Sequence, residues 1–475
     1  MSLLSSSRGY SWPLRLGVLL LASLVCLSAA LYNGFPLVSS DTGAYLDSAL
    51  HLLVPDDRPI TYGLFIRLTG LHFSYWLVVW AQSLLLAALL LRCLHRFVPR
   101  LGWAGQLVAL GLLAWATGFS WYCSQLMPDI FSGIGLLALG LLLSKTKSWL
   151  EQVVLLLVLL LCTIVHSSNL VSYTLTCLGF GVLAWQQRLF ARQLASRAQW
   201  LVTTATVLAG WVLLPALHAA FGGGFVASRA APVFLMGRLV EAGIVDRYLA
   251  DHCNDANAPW LCNARDQLPN DAVTFLWDAS SPYAKSGGLE ANLSAYRRIV
   301  RDIATSPRYY PALLNMALQS TLRQLTHQAH GDGLWAYREN SSPYWKIPEV
   351  IPFEMKPYLS SLQNHNLLHF EEINLRAYGT QLLALAGLVL VLGAASRGQL
   401  AARAWPALLL LSVWVMGLIA NAFAAGALAN VLDRLQGRVA WLLPLGVGLV
   451  LAAWLPPGLP ARLRRLLPPG PGATA

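Results

Sequence analysis

The chain has 475 residues, of which 56% are hydrophobic and only 12% are charged. Soluble domains carry about twice that charged fraction. The composition therefore excludes an ordinary multidomain soluble protein, and it also excludes a disordered chain, a coiled coil and a disulfide-rich mini-scaffold. The formal net charge is +11, which in a soluble protein would suggest nucleic acid as a partner. The positions of the charges decide whether that inference applies here.

Ten apolar runs have the length of transmembrane helices, for which about 17–25 residues are typical. One of them, LEQVVLLLVLLLCTIVH at 149–165, is almost pure Leu and Val, whereas a helix buried in a soluble protein is rarely apolar on every face. The sequence thus predicts an all-α polytopic membrane protein. The predicted spans are 16–32, 73–91, 102–120, 129–144, 149–165, 170–186, 199–219, 379–395, 405–427 and 440–456.

Basic residues fall in alternate short connections between these spans, which marks one side as cytoplasmic. Both termini are then predicted to be cytoplasmic, with the first span retained as a signal anchor. Only Glu151 among the acidic residues lies in or beside these segments. The positive charge is therefore a topology signal, and we expect no nucleic-acid partner. The basic residues are Arg8, Arg15, Arg92, Arg96, Arg100, Lys145, Lys147, Arg188, Arg192, Arg197, Arg397, Arg403, Arg462, Arg464 and Arg465.

Three regions follow from this topology. A seven-helix membrane module is predicted for 1–219 and contains a long first outer loop at 33–72. A largely helical outer domain is predicted for 220–378, and a three-helix membrane region with a short basic tail for 379–475.

Within the outer domain, the stretch 291–328 predicts two helices separated at Ser306-Pro307. The apolar spacing of 310–324 is compatible with a helix that lies against the membrane surface.

Cys253 and Cys262 lie close together in the outer domain, as CNDANAPWLC. An oxidising outer compartment favours a disulfide there, and two free thiols are the alternative. A zinc site is disfavoured because the spacing matches no zinc pattern.

The first outer loop contains the first candidate residues. Asp41 follows the first span closely, and a partly desolvated carboxylate there could act as a general base toward a hydroxyl. Asp57 and Arg58 lie in a second polar group, Asp56-Asp57-Arg58-Pro59, with Tyr62 shortly after. Arg58 could bind a phosphate in bidentate fashion. The alternative is that these groups are simply solvated.

Two short outer connections contain further candidates. Asp129 stands at the start of the fourth span, where it could cap the helix or, as a carboxylate next to the bilayer, act as a second catalytic residue beside Asp41. His166 begins the connection His-Ser-Ser-Asn. It could donate to a phosphate or orient a base, although a cap of the sixth span is the simpler interpretation.

The last outer connection carries Arg434 and Arg438, two arginines on the predicted outer side. They run against the positive-inside trend and need an explanation. Either they bind a phosphate or anionic headgroup, or they pair with outer carboxylates such as Asp433.

The sequence lacks the motifs of several protein classes. The sequence contains no Walker A motif, GxSxG elbow or HExxH motif. Few ionisable residues lie deep in the spans, where ion-coupled transporters need them.

The chain resembles the GT-C superfamily of integral membrane glycosyltransferases in its plan. Asp41 matches the acidic residue that such enzymes carry after the first span, Asp129 matches a second acidic position, and 220–378 matches their large outer segment after the seventh helix. The stretch from Asp433 to Pro444 looks like the arginine-bearing outer end of a late helix. The Asp-Asp pair departs from that pattern, because it stands at 56–57 and not directly after the first span.

The resemblance implies transfer of a sugar from a polyprenyl-phosphate donor to a glycan, lipid or protein acceptor at the outer face of the membrane. It implies that Arg58, Arg434 or Arg438 neutralises the donor phosphate, while Asp41 takes the acceptor proton. No metal site is predicted, although a divalent cation is not excluded. A bacterial inner membrane with a periplasmic active face fits this interpretation. A transporter or lipid flippase, or another envelope-assembly enzyme acting on lipid-linked glycans, is the alternative.

Overall fold

The computed structural model describes residues 12–144, 148–186, 196–254 and 259–455. In these ranges the chain forms helices, and its β-pairing is confined to isolated bridges such as Leu37 to Gln125. The all-α prediction is thereby confirmed. Some of the basic residues used for the topology lie outside the described residues, namely Arg8, Lys145, Lys147, Arg188, Arg192, Arg462, Arg464 and Arg465.

The first part of the chain contains the helices of the predicted membrane module. They are α1 (Trp12–Cys26), α2 (Ser28–Asn33), α3 (Thr42–His51), α4 (Thr61–Thr69), α5 (Tyr75–Phe97), α6 (Trp103–Thr117), α7 (Phe119–Cys123), α8 (Asp129–Leu143), α9 (Trp149–Val165), α10 (Ser167–Trp185) and α11 (Arg197–Ala220).

The outer segment and the C-terminal region follow. Their helices are α12 (Ala231–Glu241), α13 (Ile244–His252), α14 (Ala272–Trp277), α15 (Pro282–Lys285), α16 (Gly288–Thr305), α17 (Tyr310–Thr326), α18 (Ser342–Val350), α19 (Met355–Leu359), α20 (Glu371–Ser396), α21 (Trp405–Gly426), α22 (Asp433–Ala440) and α23 (Leu442–Trp454). Short 3-10 segments occur at Trp260–Gln267, Pro307–Tyr309, Pro352–Glu354, Gln363–His365 and Ala402–Ala404.

Five helices of the described chain are long and apolar enough to cross a membrane, which makes this an integral membrane protein. They are α5, α11, α20, α21 with the turn before it, and the continuous stretch of α22 and α23. Four shorter apolar helices, α1, α6, α8 and α9, accompany them. Each predicted apolar run overlaps one of these helices or α10.

Serine caps explain where several of these helices begin. The side chains of Ser74, Ser148 and Ser196 each accept a hydrogen bond from a backbone N–H in the first turn of α5, α9 and α11. Such a cap satisfies one of the N–H groups that a helix start leaves without a partner.

Helix α8 is the centre of the bundle, and all of its side chains are buried. Glycines let large aromatic residues approach it closely. A Cβ atom at Gly133 would lie 2.7 Å from the ring of Trp441, and one at Gly140 would lie 2.7 Å from the indole nitrogen of Trp414. Small residues at helix contacts are a feature of membrane bundles. Burial on every side explains why this helix is apolar on every face.

Glu151, the exceptional acidic residue of the predicted cytoplasmic side, pairs with Arg92. The Arg92 guanidinium donates to both carboxylate oxygens, at 2.8 and 2.7 Å, and both side chains are buried. This bidentate pair joins the end of α5 to the start of α9 and satisfies a charge that would be costly to bury alone.

The outer segment 220–378 divides into two parts. Residues between Val233 and Met316 form a separate hydrophobic core from α12, α13, α14, α16 and the start of α17. In contrast, Tyr337, Ile347 and Tyr358 belong to the main core of the membrane module. The second part of the outer segment is therefore built into the bundle, and it is this part that surrounds the candidate site.

Candidate functional site

The loop before Asp41 is fixed by backbone pairing between the first and second outer connections. The Leu37 N–H donates to the Ser124 carbonyl, and the Leu126 N–H donates to the Leu37 carbonyl, each at 2.9 Å. The side-chain amide of Gln363 accepts the Val38 N–H and donates to the Val38 carbonyl. Asp41 is thereby held at the start of α3, close to the connection that leads to α8.

The Asp41 carboxylate lies between two arginines. Arg434 Nη2 donates to its Oδ2 at 2.9 Å, and Arg58 Nη1 lies 3.3 Å from its Oδ1. About a fifth of the Asp41 side chain is exposed. Burial by itself would raise the pKa of Asp41, but the charges of Arg434 and Arg58 outweigh it and hold that pKa well below its usual range. We call these three residues the Asp41 cluster.

Arg58 is held in place by its neighbour Asp57. Its Nε donates to Asp57 Oδ1 at 2.8 Å, its Nη2 donates to Oδ2, and its Nη1 also reaches the Asp41 backbone carbonyl at 3.2 Å. The guanidinium lies over the ring of Tyr45, 5.4 Å from the centroid. Most of its donors are therefore occupied, and its orientation toward Asp41 is fixed.

Asp129 and Arg438 form a second, fully buried group, the Asp129 cluster. Arg438 Nη1 donates to Asp129 Oδ1 at 2.8 Å and to His166 Nε2 at 3.0 Å. Its Nη2 donates to Ser168 Oγ at 2.9 Å and to Asn421 Oδ1 at 3.2 Å. A guanidinium has four Nη hydrogens, so these bonds use all of them. Asp129 Oδ2 and Arg438 Nε are buried without a partner among the described residues.

His166 is neutral in this arrangement. Its Nε2 accepts from Arg438, so its Nδ1, 2.9 Å from Ser168 Oγ, carries the proton. Burial and the charge of Arg438 lower the pKa of His166 well below its usual value. Because both ring nitrogens are occupied, His166 orients Arg438. His166 stands at the N-cap position of α10, where the simpler sequence interpretation placed it, but with its proton on Nδ1 the ring does not accept the Ser168 N–H.

The two clusters are neighbours because Arg434 and Arg438 lie four residues apart on α22 and share one face of that helix. Neither arginine pairs with Asp433, whose carboxylate accepts the Ala329 N–H at 3.0 Å. Pairing with outer carboxylates was one of the two alternatives for these arginines, and the partners are the distant Asp41 and Asp129.

Arg434 differs from Arg438 in the number of its N–H groups that are hydrogen-bonded to the described residues. Within the described chain its guanidinium donates to Asp41 alone, and about a fifth of its side chain is exposed. The Arg438 side chain is fully buried. Arg434 therefore has N–H groups available for an incoming anion, and Arg438 has none on its Nη atoms.

Asp332 is a site residue that sequence reasoning missed. Its Oδ2 accepts the backbone N–H of Arg434 at 3.3 Å. Burial raises the pKa of Asp332, and the charges of Asp433 and Asp129 add to that effect, while Arg434 opposes it. Asp332 stands between Gly331 and Gly333, both at positive φ. The sequence feature that could have identified Asp332 is its position between two glycines.

Tyr62 lies away from solvent. Its side chain is fully buried, its hydroxyl donates to Gln82 Oε1 at 3.2 Å, and its ring packs edge-on against Tyr45 and Phe131. A substrate could reach this hydroxyl only after these groups move.

The predicted disulfide is confirmed, because Cys253 and Cys262 are bonded to each other. It joins the end of α13 to the following 3-10 segment, beside the separate outer core.

Within the ranges that the structure describes, one group of side chains could hold a metal ion, namely Asp47, His51 and Glu349. However, Lys346 Nζ lies 2.6 Å from Asp47 Oδ1 and 2.8 Å from Glu349 Oε2, so an ammonium already compensates these carboxylates. The Asp41 carboxylate faces two guanidinium groups, which would repel a divalent cation there.

A cavity of about 340 Å³ lies between the end of α11 and the first outer loop. Its arginine, Arg229, donates to Asp56 Oδ1 at 2.6 Å and to Glu290 Oε1 at 2.8 Å. Because Asp57 follows Asp56 and holds Arg58, these ion pairs connect α16 of the outer segment to the Asp41 cluster. The cavity is lined by Leu53, Val54, Phe221, Gly222, Gly223, Gly224 and Arg229.

Comparison of the chain with protein-family models, with curated proteins and with solved structures finds no match.

Proposed function

We propose that this protein is a membrane glycosyltransferase that moves a sugar from a polyprenyl-phosphate donor to an acceptor at the outer face of the membrane. The observation that carries the proposal is the Asp41 carboxylate between Arg58 and Arg434, beside Arg434 N–H groups that have no partner in the described part of the chain. A carboxylate that could accept a hydroxyl proton thus lies next to a guanidinium that could bind a phosphate. The resemblance of the sequence plan to the GT-C superfamily supports the same function.

The proposed topology has ten spans, cytoplasmic termini and a periplasmic active face in a bacterial inner membrane. The polar groups support this sidedness. The Arg92–Glu151 pair joins helix ends on the predicted cytoplasmic side, whereas the Asp41 and Asp129 clusters join helix ends on the predicted outer side.

In the proposed reaction, the acceptor hydroxyl oxygen attacks the anomeric carbon of the sugar. The bond from that carbon to the phosphate oxygen breaks, its electron pair stays on the phosphate, and the hydroxyl proton passes to Asp41. The released phosphate gains one negative charge, which Arg434 would bind through a charge-assisted hydrogen bond. A preorganised donor at such a charge is commonly worth about 3 kcal/mol of barrier.

Donor binding also explains how Asp41 becomes a competent base. While Arg434 pairs with Asp41, the carboxylate is ionised but weakly basic, since its pKa is held low. A donor phosphate that takes up part of the Arg434 charge would weaken this pairing and raise the pKa toward the range that suits proton transfer. Arg58, fixed by Asp57, would keep the carboxylate oriented.

The remaining candidates are assigned supporting roles. Asp129, Arg438 and His166 would hold α22 against α8 and the start of α10, and so would position Arg434. Tyr62 would pack the floor of the first outer loop. We expect transfer to proceed without a divalent cation at Asp41. The acceptor, whether glycan, lipid or protein, stays open.

The test compares lipid-linked glycans and surface polysaccharides of a deletion strain carrying wild-type protein, Asp41→Asn or Asp47→Asn. Asp47 is a matched control, since it is an ion-paired aspartate on α3 outside the Asp41 cluster. We expect the deletion and Asp41→Asn strains to share an altered profile and Asp47→Asn to match wild type. Unaltered glycans in the deletion strain would contradict the proposal.

A further inference from the structure

We propose that α17 lies in the outer leaflet of the bilayer, with lipid acyl chains covering a stripe of exposed apolar side chains along it. The stripe recurs every four residues and so follows one face of the helix. Its members are Tyr310, Leu314, Leu318 and Leu322, which are 48%, 72%, 58% and 55% exposed. A run of three leucines this open to water is unusual on a soluble surface.

The opposite face of α17 is fixed to the membrane bundle. Ser320 packs on the end of α21 so closely that a Cβ atom at Gly426 would lie 2.6 Å from the Ser320 carbonyl oxygen. The side chain of Gln324 bonds both backbone groups of Leu432, donating to its carbonyl at 2.8 Å and accepting its N–H at 3.1 Å. Because α21 is long and apolar enough to span, α17 runs beside a membrane helix.

A third face of α17 is polar and adjoins the leucine stripe. Gln319 donates to Asn315 at 3.1 Å, and Arg323 donates to Glu241 at 3.1 Å. An apolar stripe next to a polar one is typical of a helix that lies in the membrane interface, and a spanning helix lacks the polar face.

The position of α17 against a spanning helix points to the bilayer as the occupant of its leucine stripe. That spanning helix, α21, itself exposes the apolar side chain of Ile419, and Leu428 follows its end; they are 48% and 36% exposed. Exposed apolar side chains therefore occur on α17, on the spanning helix it packs against and just beyond that helix's end. Met316 of α17 also belongs to the separate outer core, so the helix would tie that core to the membrane. This inference is independent of the proposed reaction.

The test uses the full-length protein in phosphatidylcholine–phosphatidylglycerol liposomes, with one spin label at Leu318→Cys or at Gln319→Cys. These adjacent exposed positions lie on the apolar and the polar stripe. Dissolved oxygen concentrates in lipid, and a charged nickel chelate stays in water. We expect the label at 318 to be at least threefold more accessible to oxygen, relative to the chelate, than the label at 319. Labelled protein without an added cysteine supplies the background.

The same comparison at Leu314→Cys and Asn315→Cys, one turn earlier, replaces the first pair if either variant fails to fold. Equal access of the chelate to both members of a pair would overturn the proposal, since α17 would then lie in water. Low access of both probes at 318 would also overturn it, because another protein surface would cover the stripe. Equally lipid-like values at both members would contradict an interfacial position.

Discussion

Arg434 and Arg438 lie four residues apart on α22, yet Arg438 is fully buried with all Nη hydrogens bonded, while Arg434 gives the described residues a single side-chain hydrogen bond. Two arginines that look alike in the sequence thus differ in burial and in hydrogen bonding. One completes a buried polar network, and the other is partly exposed beside Asp41.

Replacing Arg438 is expected to cost stability first. Arg438→Ala would leave the Asp129 carboxylate buried without its cation, which typically costs 3–5 kcal/mol. Arg434→Ala removes a partly exposed partner of Asp41, which Arg58 still neutralises, and should therefore cost less. Thermal unfolding of both variants in detergent measures the difference. Arg438→Ala melting no lower than Arg434→Ala would be inconsistent with a framework role for Arg438.

Replacing Arg434 is expected to cost activity without loss of the fold. Arg434→Gln removes the charge offered to the donor phosphate, and we expect sugar transfer to fall by about 100- to 1,000-fold, as for the loss of one transition-state donor. Arg265→Gln is the control, because Arg265 forms an exposed ion pair with Asp246 in the outer segment. Transfer within twofold of wild type in Arg434→Gln would remove Arg434 from the reaction.

Replacing Asp332 tests the raised pKa of its carboxyl. A carboxyl with a raised folded-state pKa binds protons more tightly when folded, so stability falls as pH rises from the ordinary carboxyl range through the raised pKa. Asp332→Asn removes this penalty and still offers an acceptor to the Arg434 N–H. Its melting temperature should exceed that of wild type at pH 8 and approach it near pH 4.

The matched control for that experiment is Asp266→Asn, at an exposed aspartate of the outer segment. It removes one carboxylate charge at a position outside the candidate site, and so controls for the loss of charge itself. An Asp332→Asn protein that is less stable than wild type at pH 8 would show that the ionised carboxylate stabilises the fold.

The disulfide should protect the separate outer core. By loop-closure entropy, cross-linking residues nine positions apart is worth about 2–3 kcal/mol. Cys253→Ser with Cys262→Ser should therefore speed proteolysis of the outer segment, and reduction of wild type should reproduce the effect. Unchanged protease resistance in both cases would mean that the outer core does not depend on the bond.

Local sequence features predicted the helices and part of the site. Apolar runs located the membrane helices because burial in lipid or in the bundle requires apolar side chains along the whole helix. The Cys253–Cys262 spacing and the break at Ser306-Pro307 are likewise local signals, and both are confirmed.

The pairing of distant residues could not be predicted in the same way. Asp41 and Arg434 are 393 residues apart, and Asp129 and Arg438 are 309 apart. The packing of α22 against α8 and the ion pair to Asp41 decide these partners, so the local neighbour Asp433, offered as one alternative, pairs with neither arginine. Asp332 was missed for the same reason, since its position beside Arg434 depends on how the outer segment folds back.

The most direct measurement is sugar transfer by purified protein in liposomes that contain a labelled polyprenyl-phosphate sugar, with an envelope extract of the deletion strain as the source of acceptor and release of polyprenyl phosphate as the readout. Wild type and Asp47→Asn should release it at equal rates, in the presence of a metal chelator as well. Asp41→Asn should be slower by at least 100-fold, because the proton acceptor is lost. Equal release by Asp41→Asn and wild type would contradict a catalytic role for Asp41.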